Sequence, residues 1–343
     1  MAGPLLQLEH PRSLFGDLLV EPEEAHSILR PQRDERYGFG FALSPYRGCG
    51  HGCRYCYVRD YPQPVPGEAV GTLHPPETWG TWAVPKLNAP ELLWSQRHRL
   101  HQQCVFLASA TDPYQPLERQ YRLTRGCLEV LLKCPTTRVL LHTRSPLVLQ
   151  DLELLRAFGD RLGVGFSIPT DDDTVRQVVE PKAPAIPSRW AAVERLARAG
   201  IAVTVAATPL MAMQDPDVFA RRARDSGAAG AWAGGLRLLR GDPFEAVLAR
   251  NGWLRVLDPE YVQLVRMALL AVFPPQPAQR RAMRRRSGGG CGSKASAAEL
   301  RPGPVPGPVP GPGKGPGPGP VPGLAAPVPV PLRAQQPSLF EAM

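Results

Sequence analysis

Residues 44–60 read SPYRGCGHGCRYCYVRD, with cysteines at 49, 53 and 56 in a C-x3-C-x2-C spacing. Three thiolates held that close suit one compact metal centre, and soft sulfur donors select zinc, copper(I) or an iron–sulfur cluster. Gly48, Gly50 and Gly52 let the loop curl tightly, because glycine accepts positive φ without steric cost. A structural zinc site takes four ligands. A four-iron cluster on three thiolates instead keeps one iron open to an outside ligand. His51 offers a fourth ligand for a Cys3His zinc site, but it lies inside the first spacing, where its backbone must already wrap the metal.

Outward from this loop, apolar runs of strand length alternate with stretches of helical periodicity. Strands are predicted at Val105–Ser109, Arg138–His142, Leu162–Ser167, Ala202–Ala206 and Gly230–Leu236. Helices are predicted at Pro90–Leu100, Thr124–Lys133, Pro146–Phe158, Ser188–Ala199, Pro216–Ser226 and Pro259–Phe273. In the fourth helix Ser188 is the expected cap, Trp190, Val193 and Leu196 share a face, and Gly200 stands at the C′ position. The next strand begins at once, as in a parallel α/β layer. About six such units suit a doubly wound sheet or an open or closed barrel, and periodicity does not separate these.

The chain has 343 residues, room for about two domains, or one with appendages. Its net charge of +9 divides unevenly: residues from 274 onward carry +7 and the preceding body only +2. Three regions are expected: an N-terminal extension over 1–37, a core with its C-terminal helices over 38–273, and a basic tail over 274–343. Within the tail, Pro302–Pro331 is Pro/Gly/Val low complexity, which predicts disorder with polyproline II character. No apolar run reaches the length of a membrane span, and the first residues do not read as a signal peptide. A cytoplasmic protein is expected. Seven cysteines, three within eight residues, predict a metal or redox site rather than a disulfide framework.

The cysteine segment resembles that of the radical S-adenosylmethionine superfamily, with Tyr55 before the last cysteine. The wider string resembles the spore photoproduct lyase-like, or DNA repair photolyase-like, branch. It continues through Ser109-Ala110-Thr111-Asp112-Pro113-Tyr114-Gln115-Pro116, Leu123-Thr124-Arg125, His142-Thr143-Arg144-Ser145, Gly165-Phe166-Ser167 and Val179-Glu180-Pro181. The resemblance implies an α/β fold, a partial (β/α)6 TIM-like barrel. It implies a [4Fe–4S] cluster on Cys49, Cys53 and Cys56, with S-adenosylmethionine chelating the open iron. One electron, from a donor such as a flavodoxin or ferredoxin, would then cleave it to a 5′-deoxyadenosyl radical that abstracts hydrogen from substrate. The lyases of this branch carry a hydrogen-donating cysteine in the Ser109–Asp112 string. This chain has none there, so the resemblance does not extend to that donor.

Each remaining candidate carries a structural alternative. Tyr55 is expected beside the adenine or as a shield for the cluster. Ser109, Thr111 and Asp112 follow a strand at the end where barrels bind ligands, with an Asp–Pro turn as the alternative. Arg144 stands where related sequences usually carry lysine. Ser145 is a cofactor contact or a helix cap. Ser167 suits the cofactor carboxylate, and Glu180 is a polar contact or a solvated loop acid. Arg59 is a site residue or a surface charge. In the tail, Arg280–Arg286 suits phosphates of nucleic acid, and Gln336–Phe340 resembles the bacterial sliding-clamp-binding pentapeptide. The competing reading is a zinc-stabilised nucleic-acid-binding module without catalysis.

Overall fold

The apolar segments do form one parallel layer, and its strand order decides between the architectures left open above. The computed structural model describes residues 12–34, 37–107 and 110–274. Ser109, the basic run Arg280–Arg286, the low-complexity tail and Gln336–Phe340 lie outside the described residues. The strands are β1 (Ser13–Phe15), β2 (Leu18–Val20), β3 (Leu29–Pro31), β4 (Phe41–Leu43), β5 (Tyr46–Gly48), β6 (Trp82–Pro85), β7 (Cys104–Leu107), β8 (Arg138–Thr143), β9 (Leu162–Ser167), β10 (Ala202–Ala207) and β11 (Gly230–Ala233).

The larger sheet runs β11-β10-β9-β8-β7-β4-β3. Its six strands β4 and β7 to β11 are mutually parallel and stand in chain order. A doubly wound sheet reverses direction at a switch point. This one does not, so every crossover turns the same way, as in a barrel. It is an open barrel: β11 ends one side, and β3 closes the other by pairing antiparallel with β4. The N-terminal extension therefore covers a sheet edge that would otherwise present unpaired backbone groups. Its first two strands join β6 and β5 in a smaller sheet of order β1-β2-β6-β5.

Helices cover the outer face. Leu128 and Leu131 of Leu123–Leu132, Trp190, Val193 and Leu196 of Ile186–Arg198, and Val265 and Leu269 of Pro259–Val272 pack in one core with Val105, Leu107, Val139, Leu141, Val164, Phe166, Val203 and Val205. Burying each such side chain fully stabilises the fold by roughly 1.5–3 kcal/mol before entropy is set against it. Among the described residues no helix is long and apolar enough to cross a membrane.

Several local expectations change: the helix predicted over Pro90–Leu100 is an α-helix, Ala89–Ser95, followed by a 3-10 turn, Arg97–Leu100, and the strand predicted over Gly230–Leu236 ends at Ala233. The helix predicted from Ser188 begins at Ile186, and a proline in its first turn takes the place of a side-chain cap. The Ser188 hydroxyl instead donates to the Ala185 carbonyl at 2.7 Å. The predicted Gly200 stop is present, with φ +79 and its N–H on the Ala197 carbonyl. The segment predicted as one helix over Pro146–Phe158 is a 3-10 turn, Pro146–Asp151, followed by a short α-helix, Leu152–Arg156.

Candidate functional site

The cysteine loop leaves the smaller sheet, not the first barrel strand. β5 ends at Gly48, Cys49 follows directly, and a 3-10 turn over Tyr57–Asp60 closes the loop after Cys56. Two close approaches fix its path. Gly48 has φ +70, and a Cβ there would lie 2.5 Å from the Trp82 ring. Gly52 has φ +56 and meets the Gly80 backbone so closely that a Cβ on Gly80 would lie 2.4 Å from its Cα. The Arg54 N–H bonds the Val179 carbonyl at 3.0 Å, which brings the residue after Val179, Glu180, to the loop.

The three thiols are free, with Cys49 and Cys53 buried and Cys56 half-buried. Burial pushes all three upward, Cys56 to about 12, because a lone thiolate there would be desolvated. Three thiols on one loop without disulfides, two of them buried and one half-buried, fit a soft metal centre, whose positive charge replaces the protons. Among the described residues, no three His, Cys, Asp or Glu side chains converge on one point, so the fit rests on the donor set and its burial. His51 is buried, and neither ring nitrogen has a hydrogen-bond partner. Its Nε2 lies 3.6 Å from Asp112 Oδ2, and burial lowers the imidazole to about 4, so it is neutral.

The Thr111–Pro116 string straps this loop from the carboxyl end of β7. Thr111 Oγ1 donates to the Gly48 carbonyl at 2.6 Å. The Gln115 amide donates to Thr111 Oγ1 at 3.1 Å, and its oxygen accepts the Gly50 N–H at 2.9 Å. Asp112 is shared: Oδ1 accepts Thr143 Oγ1 at 2.6 Å and Oδ2 accepts the Arg144 N–H at 2.9 Å. The Leu123-Thr124-Arg125 string holds the strap in turn. Thr124 Oγ1 donates to the Pro113 carbonyl at 2.6 Å, and Arg125 binds buried Asp151, which also accepts the Tyr114 hydroxyl.

Arg144, from the end of β8, reaches under the loop. Its Nη1 donates to Cys53 Sγ at 3.1 Å, to Tyr55 Oη at 2.8 Å and to Glu180 Oε1. Tyr55 also donates to Glu180, and Arg189 binds the other oxygen of that carboxylate. Burial by itself would raise Glu180. The two guanidinium groups and the Tyr55 hydroxyl overcome it and hold the carboxyl down at about 2. Ser167 Oγ lies 2.7 Å from His142 Nε2, and its carbonyl accepts from Arg189 at 3.3 Å. Ser145 is the cap of the 3-10 turn, accepting the Leu147 N–H at 3.3 Å.

The structure thus gathers Cys53, Tyr55, Asp112, Arg144, Ser167 and Glu180 at the carboxyl ends of β7, β8 and β9. Thr111 and Ser145 face backbone. Arg59 serves another purpose: its Nη2 lies 2.5 Å from both Asp242 oxygens, tying the loop to the cap of helix Pro243–Arg250. Phe244 of that helix packs edge-on against Tyr55 at 6.1 Å, in a cluster with Cys53, Leu236, Leu248 and Val256. Gln115 and His142, which stand in the motif strings without an assigned role, and Asp151 and Arg189, which stand outside them, are neighbours of these residues. A signal existed for Arg189, which falls on the apolar stripe of its helix with Ile186, Trp190 and Val193.

The family model described as the Radical SAM superfamily matches residues 43–222. An uncharacterized protein of Methanocaldococcus jannaschii is 29% identical over 164 residues, 48% of this chain and 58% of that protein. An uncharacterized protein of Acidianus two-tailed virus is 30% identical over 196 residues, 56% of this chain and 63% of that protein. The chain therefore spans less than two thirds of the length of these curated relatives. A solved structure of a spore photoproduct lyase variant with dinucleoside spore photoproduct superposes with TM-score 0.50 at 15% identity, covering 70% of this chain and 66% of that one. At that identity the likeness is one of fold.

Proposed function

The chain belongs to the radical SAM superfamily, and from that premise we propose that Cys49, Cys53 and Cys56 hold a [4Fe–4S] cluster whose open iron binds S-adenosylmethionine. When bound, the pair supplies one-electron cleavage of the sulfonium and a 5′-deoxyadenosyl radical for hydrogen abstraction. The observation that carries the reading is three disulfide-free thiols on one loop at the mouth of the open barrel, two buried and one half-buried. Tyr55, Asp112, Arg144, Ser167 and Glu180 form the polar wall proposed for the cofactor, and Ser109, outside the described residues, is a further proposed contact. Thr111 and Ser145 act through the loops they hold. The Phe244 cluster excludes water from the Cys53 and Tyr55 side. Free thiols throughout the described residues suit a reducing, cytoplasmic setting.

For the substrate we propose nucleic acid, recruited through the tail. The support is its +7 charge, with Arg280–Arg286 as phosphate contacts and Gln336–Phe340 as an anchor for a sliding clamp. A flavodoxin or ferredoxin is the proposed electron donor. Anaerobic reconstitution with iron and sulfide tests the core of this reading. A broad visible absorbance bleached by dithionite, four irons per chain and methionine release from S-adenosylmethionine are expected, all lost in Cys53→Ala. A colourless protein with one tightly bound zinc would establish the non-catalytic alternative. Deleting residues 275–343 is expected to weaken salt-sensitive nucleic-acid binding and leave cofactor cleavage intact.

A further inference from the structure

We infer that Arg144 tunes the reduction potential of the cluster through a directed hydrogen bond to the ligand sulfur of Cys53. The inference rests on the cluster reading proposed above and goes beyond it to what sets the cluster's electron affinity. Its basis is the 3.1 Å approach of Arg144 Nη1 to Cys53 Sγ in a site where both side chains are largely shielded from water. An N–H donated to a ligand sulfur withdraws electron density from it and favours the more negative, reduced state of the centre. Hydrogen bonds to sulfur, net charge and solvent exposure are the levers by which a protein sets such potentials. A guanidinium does this without titrating, because it stays protonated.

The donor is held in place from both ends. On the backbone side, the Arg144 N–H sits 2.9 Å from Asp112 Oδ2, and Nε lies 3.9 Å from the same oxygen. On the side-chain side, the two N–H groups of Nη1 are shared among Glu180, Tyr55 Oη at 2.8 Å and the sulfur. Glu180 cannot swing away, because its second oxygen is bound to Arg189. Arg189 is anchored on the carbonyls of Pro184 at 2.8 Å and Ser167 at 3.3 Å. Two carboxylates, Asp112 and Glu180, face the two arginines Arg144 and Arg189. Their charges balance in the wild type, and Arg144→Lys keeps that balance while removing the guanidinium donor, which separates the hydrogen bond from net charge. Lysine keeps the charge but not the fixed planar geometry that aims Nη1 at the sulfur.

The test is an anaerobic redox titration of the reconstituted full chain, read by the electron paramagnetic resonance signal of the reduced cluster, before any S-adenosylmethionine is added. Wild type, Arg144→Lys, Arg144→Met and Glu180→Gln are compared at equal iron and sulfide content. The midpoint is expected to move to more negative potential in the order wild type, Arg144→Lys, Arg144→Met. Glu180→Gln, which leaves the guanidinium but removes a negative charge, is expected to move it the other way, to more positive potential. Arg144→Met with a full cluster and an unmoved midpoint would overturn the inference. If Arg144→Met does not load, the midpoint of Arg144→Lys decides by the same criterion. Failure of the wild type to take up iron and sulfide is the separate result that removes the underlying reading.

Discussion

Glu180 and Arg189 form an ion pair in which neither side chain is exposed to solvent, and Arg144 takes the remaining oxygen of the same carboxylate. Such a group survives burial only because each oxygen has a cationic donor. Removing the carboxylate leaves two arginines facing each other in a dry site. Breaking a buried pair from one side typically costs about 3–5 kcal/mol. Glu180→Gln is therefore expected to lower the unfolding free energy by about that amount, measured by denaturant titration near neutral pH. A loss within the range of a surface substitution, about 0.5 kcal/mol, would show that the pair is not structural.

The same carboxylate sets an acid-side dependence. Its pKa is depressed in the folded chain to about 2, from an ordinary value of 4.5. The folded state therefore gains stability that is complete above the ordinary value and is lost as pH falls towards the folded one. The linked amount is on the order of 3 kcal/mol. Wild type and Glu180→Gln should differ most above the ordinary carboxylate range and converge as the solution is acidified through it. Parallel curves, with a constant gap down to the acid limit, would assign the pH response to other carboxylates.

Legibility followed locality. β9 and the Gly200 stop can be read directly, because the alternating Leu162, Val164 and Phe166 and a C′ glycine are local signals. The three cysteines proposed as ligands are equally plain, since their spacing points to the chemistry. β5 and β6, three and four residues long, are too short to show a period, although β5 is what delivers Cys49. The choice between a doubly wound sheet and an open barrel depends on strand order, which no single segment contains. Arg144 and Glu180 stand 36 residues apart and meet only through the barrel. Arg189 reads as an ordinary helical arginine until its place on the apolar stripe is noticed.

Thr111 and Gln115 both direct donors at the Gly48 carbonyl, at 2.6 and 3.4 Å, immediately before the first cysteine. Thr111→Val removes the shorter bond and leaves Thr111's own partner, the Gln115 amide, poorly satisfied. A buried donor or acceptor left without its partner typically costs about 1–3 kcal/mol. The variant is expected to fold with slightly lowered melting temperature and to bind less iron per chain under identical reconstitution. Full iron content with unchanged stability would mean that the strap does not position the loop.

Gly48 and Gly38 allow the close approach at the loop to be separated from backbone conformation. Both have φ +70, but a Cβ on Gly48 meets the Trp82 ring at 2.5 Å and the Trp82 carbonyl at 2.8 Å, whereas one on Gly38 meets nothing within 4 Å. Gly38→Ala should therefore register only the left-handed backbone strain, about 1 kcal/mol. Gly48→Ala should lose more stability, and it alone should reduce iron incorporation. Equal effects of the two substitutions on melting temperature and iron content would overturn the packing argument.

Arg59 and Asp242 tie the cysteine loop to the helix whose Phe244 covers Tyr55. Asp242 is also that helix's cap, accepting the Phe244 N–H at 2.8 Å. Asp242→Ala therefore removes a cap worth about 1 kcal/mol together with the tie, whereas Arg59→Ala removes the tie, and with it the bond to the Arg54 carbonyl, but keeps the cap. If the Phe244 cluster shields the loop from water and oxygen, both variants should lose cluster absorbance faster than wild type when air is admitted. Only Asp242→Ala should show the additional loss of helix stability. Bleaching rates equal to wild type in both variants would show that this layer does not seal the site, whatever it contributes to the fold.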